Sequence, residues 1–149
     1  MHKLLLIAGL ASLALAGAAA PAAAGLLSAT GNVIAIMDGE LFLGVAEGHL
    51  DGAGTLTIHS QKNPSLTCTG QFTSSKAGGK GKLACLNGSS AAFQFKRLTI
   101  RRGYGTGNFG RASMTFTYGL SAEEAGRYLK LPAGKKLSHN GKELELGDA

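Results

Sequence analysis

Apolar residues recur at every second position over much of this chain, the period of a strand with one face in a core. Leu26 to Met37 and Leu41 to Leu50 read as a first strand pair, and Asp38-Gly39 between them is a type I′ hairpin signal. Gly44 and Gly48 in the second strand mark a bend or a close neighbour. After the turn Asp51-Gly52-Ala53-Gly54, Thr55 to Ser60 alternates, with Leu56 and Ile58 inward and Thr55, Thr57 and His59 outward. Asn63-Pro64 and Asn87-Gly88-Ser89-Ser90 are further breaks. Ala91 to Arg102 reads as the longest strand. Its parity slips once, because Phe93 and Phe95 share one face and Leu98 and Ile100 the other. Placing all four in the core calls for a β-bulge near Lys96-Arg97. Gly103 to Gly110 reads as a glycine-rich loop, and Ser113 to Tyr118 as a strand with Met114, Phe116 and Tyr118 inward.

One helix is predicted. Ser121-Ala-Glu-Glu124 is a capping box, so a helix runs from about Ala122 to Leu129, and Pro132 prevents its continuation. Lys136 to Leu146 is either a last hairpin turning at Asn140-Gly141 or a loose charged tail. The expected fold class is all-β with one short helix packed on an end: a small antiparallel barrel or a two-sheet sandwich of about six to eight strands. A closed barrel also removes exposed strand edges.

The stretch Leu66 to Gly88 carries the only two cysteines, Cys68 and Cys85. Setting them opposite each other in an antiparallel pair puts Gly70 opposite Leu83 and Phe72 opposite Gly81. All six residues then share an apolar face. Thr67, Thr69, Gln71, Thr73, Lys82 and Ala84 occupy the other, mostly polar, face. The split supports a disulfide-stapled hairpin with its turn within Ser74 to Lys80. Two buried free thiols are the alternative, and two cysteines alone do not supply the four ligands of a zinc site.

An oxidising compartment agrees with the first residues. A basic Met1-His2-Lys3, an apolar run from Leu4 to Gly17 and an alanine-rich Ala18 to Ala24 read as a secretory signal peptide cut after Ala24. The run is short for a membrane anchor. The expected location is the periplasm or outside the cell. Residues 25–149 then form one exported β-domain, with no transmembrane span after cleavage.

Charge changes the picture most. The chain of 149 residues carries a formal net charge of +6. No Asp or Glu occurs from Gly52 to Ala122, a segment that holds Lys62, Lys76, Lys80, Lys82, Lys96, Arg97, Arg101, Arg102 and Arg111. Asp38, Glu40, Glu47 and Asp51 crowd the first hairpin. A basic region and an acidic edge follow. With Cys85 opposite Phe93, Lys82 faces Lys96, a like-charge pair that an anionic partner relieves. Lys82, Lys96, Arg97 and Arg101 are the candidate anion-binding residues.

Gly105-Thr-Gly-Asn-Phe-Gly110 matches G-x-G-x-x-G, but a strand follows it where a nucleotide site needs a helix. Export argues against nucleic acid. Arg102, Tyr104, Phe109 and Arg111 on this loop either contact a partner or fold back onto a barrel end. His49, His59 and His139 are scattered. His49 and Asp51 are close in sequence, without an evident nucleophile. Glu123 and Glu124 suit a helix start. No catalytic residue, cofactor or metal is expected.

Cys68-Thr-Gly70 with Cys85-Leu-Asn-Gly88, Phe116 to Glu124 and Tyr128 to Lys135 together resemble small exported proteins of Gram-negative bacteria. The resemblance implies an envelope compartment and no particular activity. The leading expectation is a non-enzymatic envelope protein that binds an anionic polymer or protein partner. The alternatives are an exported inhibitor of a lytic enzyme or protease that uses the loop from Arg102 to Arg111 as its wedge, and a hydrolase built on one of the histidines beside a carboxylate.

Overall fold

The computed structural model describes residues 28–149. The signal peptide and cleavage site expected from the sequence lie outside the described residues. Alternation, turn chemistry and paired cysteines combine into eight antiparallel strands, each hydrogen-bonded to the next: β1 (Ser28–Met37), β2 (Glu40–His49), β3 (Ala53–Ser60), β4 (Thr67–Ser74), β5 (Gly78–Cys85), β6 (Ser90–Thr99), β7 (Arg102–Phe109) and β8 (Ala112–Tyr118). β8 returns to pair with β1, and the sheet closes into a barrel. A one-turn helix, α1 (Ala122–Ala125), and a two-stranded hairpin, β9 (Lys135–Asn140) and β10 (Glu143–Asp148), follow.

The first turn forms as its residues require. Asp38 and Gly39 both take positive φ, 51° and 74°, the pair of conformations a type I′ turn needs. The stapled hairpin has the register derived from sequence. Cys68 pairs with Cys85, Gly70 with Leu83 and Phe72 with Gly81, and the disulfide is formed. Its turn is tighter than expected, because Gly78 and Gly79 already belong to β5.

Inside the barrel, aromatic rings lie across inward-facing glycines. A methyl group at Gly54 would overlap the Phe72 ring, and one at Gly105 would overlap Phe116. Phe72 and Phe95, Phe93 and Phe116, and Phe95 and Tyr118 meet edge to face at 5.7, 5.2 and 5.7 Å between centroids. Such contacts add to burial itself. The outward positions of β3 to β6 are largely Thr, Lys and Gln. That is the reverse of a membrane-spanning barrel, whose apolar side chains face out. Among the described residues no helix is long and apolar enough to cross a membrane.

Several expectations need correction. Residues 103–110 are not a loop. Arg102–Phe109 is β7, paired on both sides, with Gly103, Gly105 and Gly107 facing the interior. The irregularity in β6 falls between Arg97 and Thr99, and it does not turn Leu98 and Ile100 inward. Both are exposed. Hydrogen-bonded turns continue beyond α1 to Leu129, but the helix proper stops at Ala125. The C-terminal segment is an ordered hairpin, turning one residue later than expected, at Gly141-Lys142.

The helix does not cap an end of the barrel. Ile34, Ile36 and Leu41 point outward from β1 and β2, and Leu120, Ala125, Leu129 and Leu144 cover them. This explains the unbroken apolar run Val33–Met37, which is buried on both faces.

Two outcomes test this account. Replacing Cys68 and Cys85 together with alanine should cost about 3 kcal/mol of unfolding free energy in urea titrations. Gly105→Ala should cost about 1–3 kcal/mol, because the added methyl would overlap both the Gln94 carbonyl oxygen and the Phe116 ring, whereas Thr106→Ala on the outer face should stay within about 0.5 kcal/mol.

Candidate functional site

The two ends of the barrel differ. The lower end, where β1 turns into β2, is filled by Met37, Phe42, Ile58, Cys68, Leu83 and Met114, all buried. The upper end carries the β2–β3, β4–β5 and β6–β7 turns. There the inward positions of β1 to β3 are small: Ala29, Gly31, Ala46, Gly48 and Gly54. The missing side chains leave a cavity of about 510 Å³ that opens at this end. Its volume is typical of small-molecule sites. Val33, Leu56, Phe72, Phe93, Phe95 and Phe116 line its depth, with Tyr118 on the wall.

One cation reaches inside. Because the strand irregularity comes after Arg97, that residue keeps the parity of Phe93 and Phe95 and points into the mouth. Arg97 Nη2 donates a hydrogen bond to Ser74 Oγ at 2.9 Å, and Ser74 Oγ donates to the Gly52 carbonyl at 2.9 Å. These contacts fix the guanidinium without neutralising it. The ion pairs among the described residues are Arg102 with Glu124 and Lys135 with Asp148. Arg97 has no carboxylate partner among those residues.

Tyr118 stands beside it. Burial pushes its phenol above the usual value, and the nearby Arg97 guanidinium partly offsets that rise. The Tyr118 hydroxyl is buried and makes no hydrogen bond of normal geometry within the described structure. The guanidinium is a hydrogen-bond donor at the top of an aromatic-lined hollow, and the Tyr118 hydroxyl is buried over Gly103 beside it. The remaining mouth residues include Lys76 and Arg101 on the turns, and His49 and Asp51 where β2 ends. Asp51 accepts the Ala53 N–H at 2.9 Å and so serves its own turn.

The candidate anion-binding residues do not form one surface. Arg97 and Arg101 belong to the cavity, whereas Lys82 and Lys96 point outward from the wall. Lys82 does not face Lys96. β5 pairs with β6 four residues away from the assumed register, so Lys82 is opposite Ala92 and Lys96 opposite Gly78. That offset separates the two lysines by about 13 Å along the strand, and no like-charge pair arises.

The expected contact loop also dissolves into the fold. Arg102 pairs with Glu124, Tyr104 stacks on Tyr128 with centroids 4.4 Å apart, and Phe109 packs against the core. Arg111 is exposed in the tight β7–β8 turn. Set in a paired strand and its turn, these residues do not form the free loop that the inhibitor expectation assumed. His59 faces outward on β3 and His139 lies exposed on β9, so the structure does not bring the three histidines together. Glu124 completes the helix cap, as its spacing implied.

Sequence reasoning missed the cavity and the roles of Tyr118 and Ser74. The available signal was the set of small residues at inward parity on the first three strands. No family model, curated protein or solved structure matches this chain.

Arg97→Gln should raise the Tyr118 pKa further, because a positive neighbour favours the phenolate. Ultraviolet titration of wild type and variant, with Tyr118→Phe to assign the step, measures it. The elevated phenol stabilises the fold in full below the unfolded tyrosine pKa. That contribution is lost as pH rises through the native value.

Proposed function

We propose that this is an exported, non-catalytic binding protein of the cell envelope that takes an amphipathic anion into the open end of its barrel. The observation that carries this reading is Arg97, an unneutralised guanidinium held by Ser74 at the top of a cavity walled by phenylalanines. Arg97 is partly buried, and a carboxylate or phosphate entering the mouth gives its guanidinium a charged partner. Arg suits such a group because its planar fork can donate two parallel hydrogen bonds. Below Arg97 the phenylalanine walls remove an apolar tail from water, at about 25 cal/mol for each Å² buried.

An eight-stranded barrel is just wide enough to hold one small ligand when its interior is partly empty. The emptiness here is confined to one end and follows from the small residues of β1 to β3. An anionic head group at Arg97 and an apolar tail below it match both halves of the site. The surplus of Lys and Arg on β3 to β8 raises the local concentration of anions around the opening.

Calorimetric titration with dodecanoate and with dodecanol separates head-group from tail recognition. Wild-type protein should bind dodecanoate in a saturable one-to-one manner and more tightly than the alcohol. Arg97→Gln should weaken dodecanoate on the order of tenfold or more, the loss of a charge-assisted hydrogen bond, and leave dodecanol nearly unchanged. Equal affinity for acid and alcohol, or no saturable binding of either, would overturn the reading.

A further inference from the structure

The upper rim of the barrel has a second property: the turn residues that border the cavity mouth also face outward into solvent. Its turns present large apolar side chains to solvent. Leu50 in the β2–β3 turn is 81% exposed, Ile100 in the β6–β7 turn 79%, and Leu98 beside it 46%. None of them packs into either hydrophobic core. Exposed large side chains gathered on the tips of separate turns need an explanation that a lone surface leucine does not.

Charge is placed among them. Lys76 stands in the β4–β5 turn and Arg101 next to Ile100, with Arg97 inside the mouth. Against these, the three upper turns hold one carboxylate, Asp51, whose Oδ1 already accepts the Ala53 N–H. Glu47 points outward lower on β2. Cations interspersed with aliphatic side chains around an opening match a surface that is anionic outside and apolar a few ångströms deeper. A lipid leaflet has that layering. Apolar tips enter the head-group boundary, and Lys and Arg side chains keep their charges at its surface.

We infer that the barrel docks by its open end on an anionic lipid surface, with Leu50 and Ile100 inserted and Lys76 and Arg101 on the head groups. The docked orientation turns the cavity mouth toward the bilayer. The polar outer wall of β3 to β6 stays in water, so the contact is made by turns and not by the sheet. The docking residues border the cavity mouth, but the contact itself is made by their solvent-facing side chains.

The chain contains no tryptophan, so a single introduced one is an unambiguous reporter. Ile100→Trp should shift its emission to the blue with phosphatidylglycerol vesicles, and the protein should sediment with them. Phosphatidylcholine vesicles should give little of either. Leu86→Trp, on a turn at the opposite end and 78% exposed, should keep a water-like emission throughout. Replacing Lys76 and Arg101 together with glutamine should weaken vesicle binding on the order of tenfold.

Equal shifts at positions 86 and 100 would overturn the proposal. So would a shift at 100 without sedimentation, which means lipid extracted into the cavity and leaves the ligand-binding reading standing. A shift that grows with protein concentration in the absence of vesicles means a second copy covers the patch, and it also overturns the proposal. Loss of dodecanoate binding in solution would sink the cavity reading and leave this one untouched.

Discussion

The interior rings of this barrel close on bare backbone. The rings of Phe72, Phe93, Phe95, Phe116 and Tyr118 lie over neighbouring strands that have no side chain beneath them, at Gly54, Gly81, Gly79, Gly105 and Gly103. Inward alternation of large and absent side chains is how a narrow barrel accommodates bulky groups without voids or strain. The backbone entropy that glycine loses on folding is offset by ring burial and edge-to-face contact. The same contacts set strand register, since a one-residue slip would place every ring against a side chain or in water.

From that packing follows the asymmetry on which the proposed binding rests. The lower end holds the disulfide and the aliphatic plug, and it closes without a hollow. At the upper end the rings come from β4, β6 and β8, and nothing of matching size faces them from β1 to β3. A half-filled barrel end is a cavity. Arg97 is retained there because it still reaches Ser74 and because the mouth is open to solvent. The close-packed end and the hollow end are thereby opposite ends of the same sheet.

The outer layer answers a different requirement. β1 is apolar on both faces, so one face faces the barrel interior and the other must be covered from outside. The capped helical turn and the C-terminal hairpin do this, with Leu129 and Leu144 placed over Ile34 and Ile36. Tyr104 stacking on Tyr128 and Arg102 pairing with Glu124 fasten that layer to β7. Residues that look free to meet a partner when β7 is taken for a loop are therefore occupied within the fold.

What the sequence determined by itself was local. Alternation located most of the barrel strands, Asp38-Gly39 specified its turn, Ser121 to Glu124 capped the helix, and the two cysteines set the register of β4 with β5. Each of these depends on residues a few positions apart or on one strand and its partner. β7 carried a local signal too, since Gly103, Gly105 and Gly107 share one parity and supply the bare backbone that inward rings lie over. Tertiary structure alone decided the site. The hollow is a sum over side chains at one height on all eight strands, and that height follows from every register around the ring. The four-residue offset of β5 on β6 separated Lys82 from Lys96. The irregularity after Arg97, one residue later than parity suggested, sent that guanidinium inward and left Leu98 and Ile100 outside. A closed sheet fixes such offsets only when its last strand meets its first, which is a global condition that no local pattern contains.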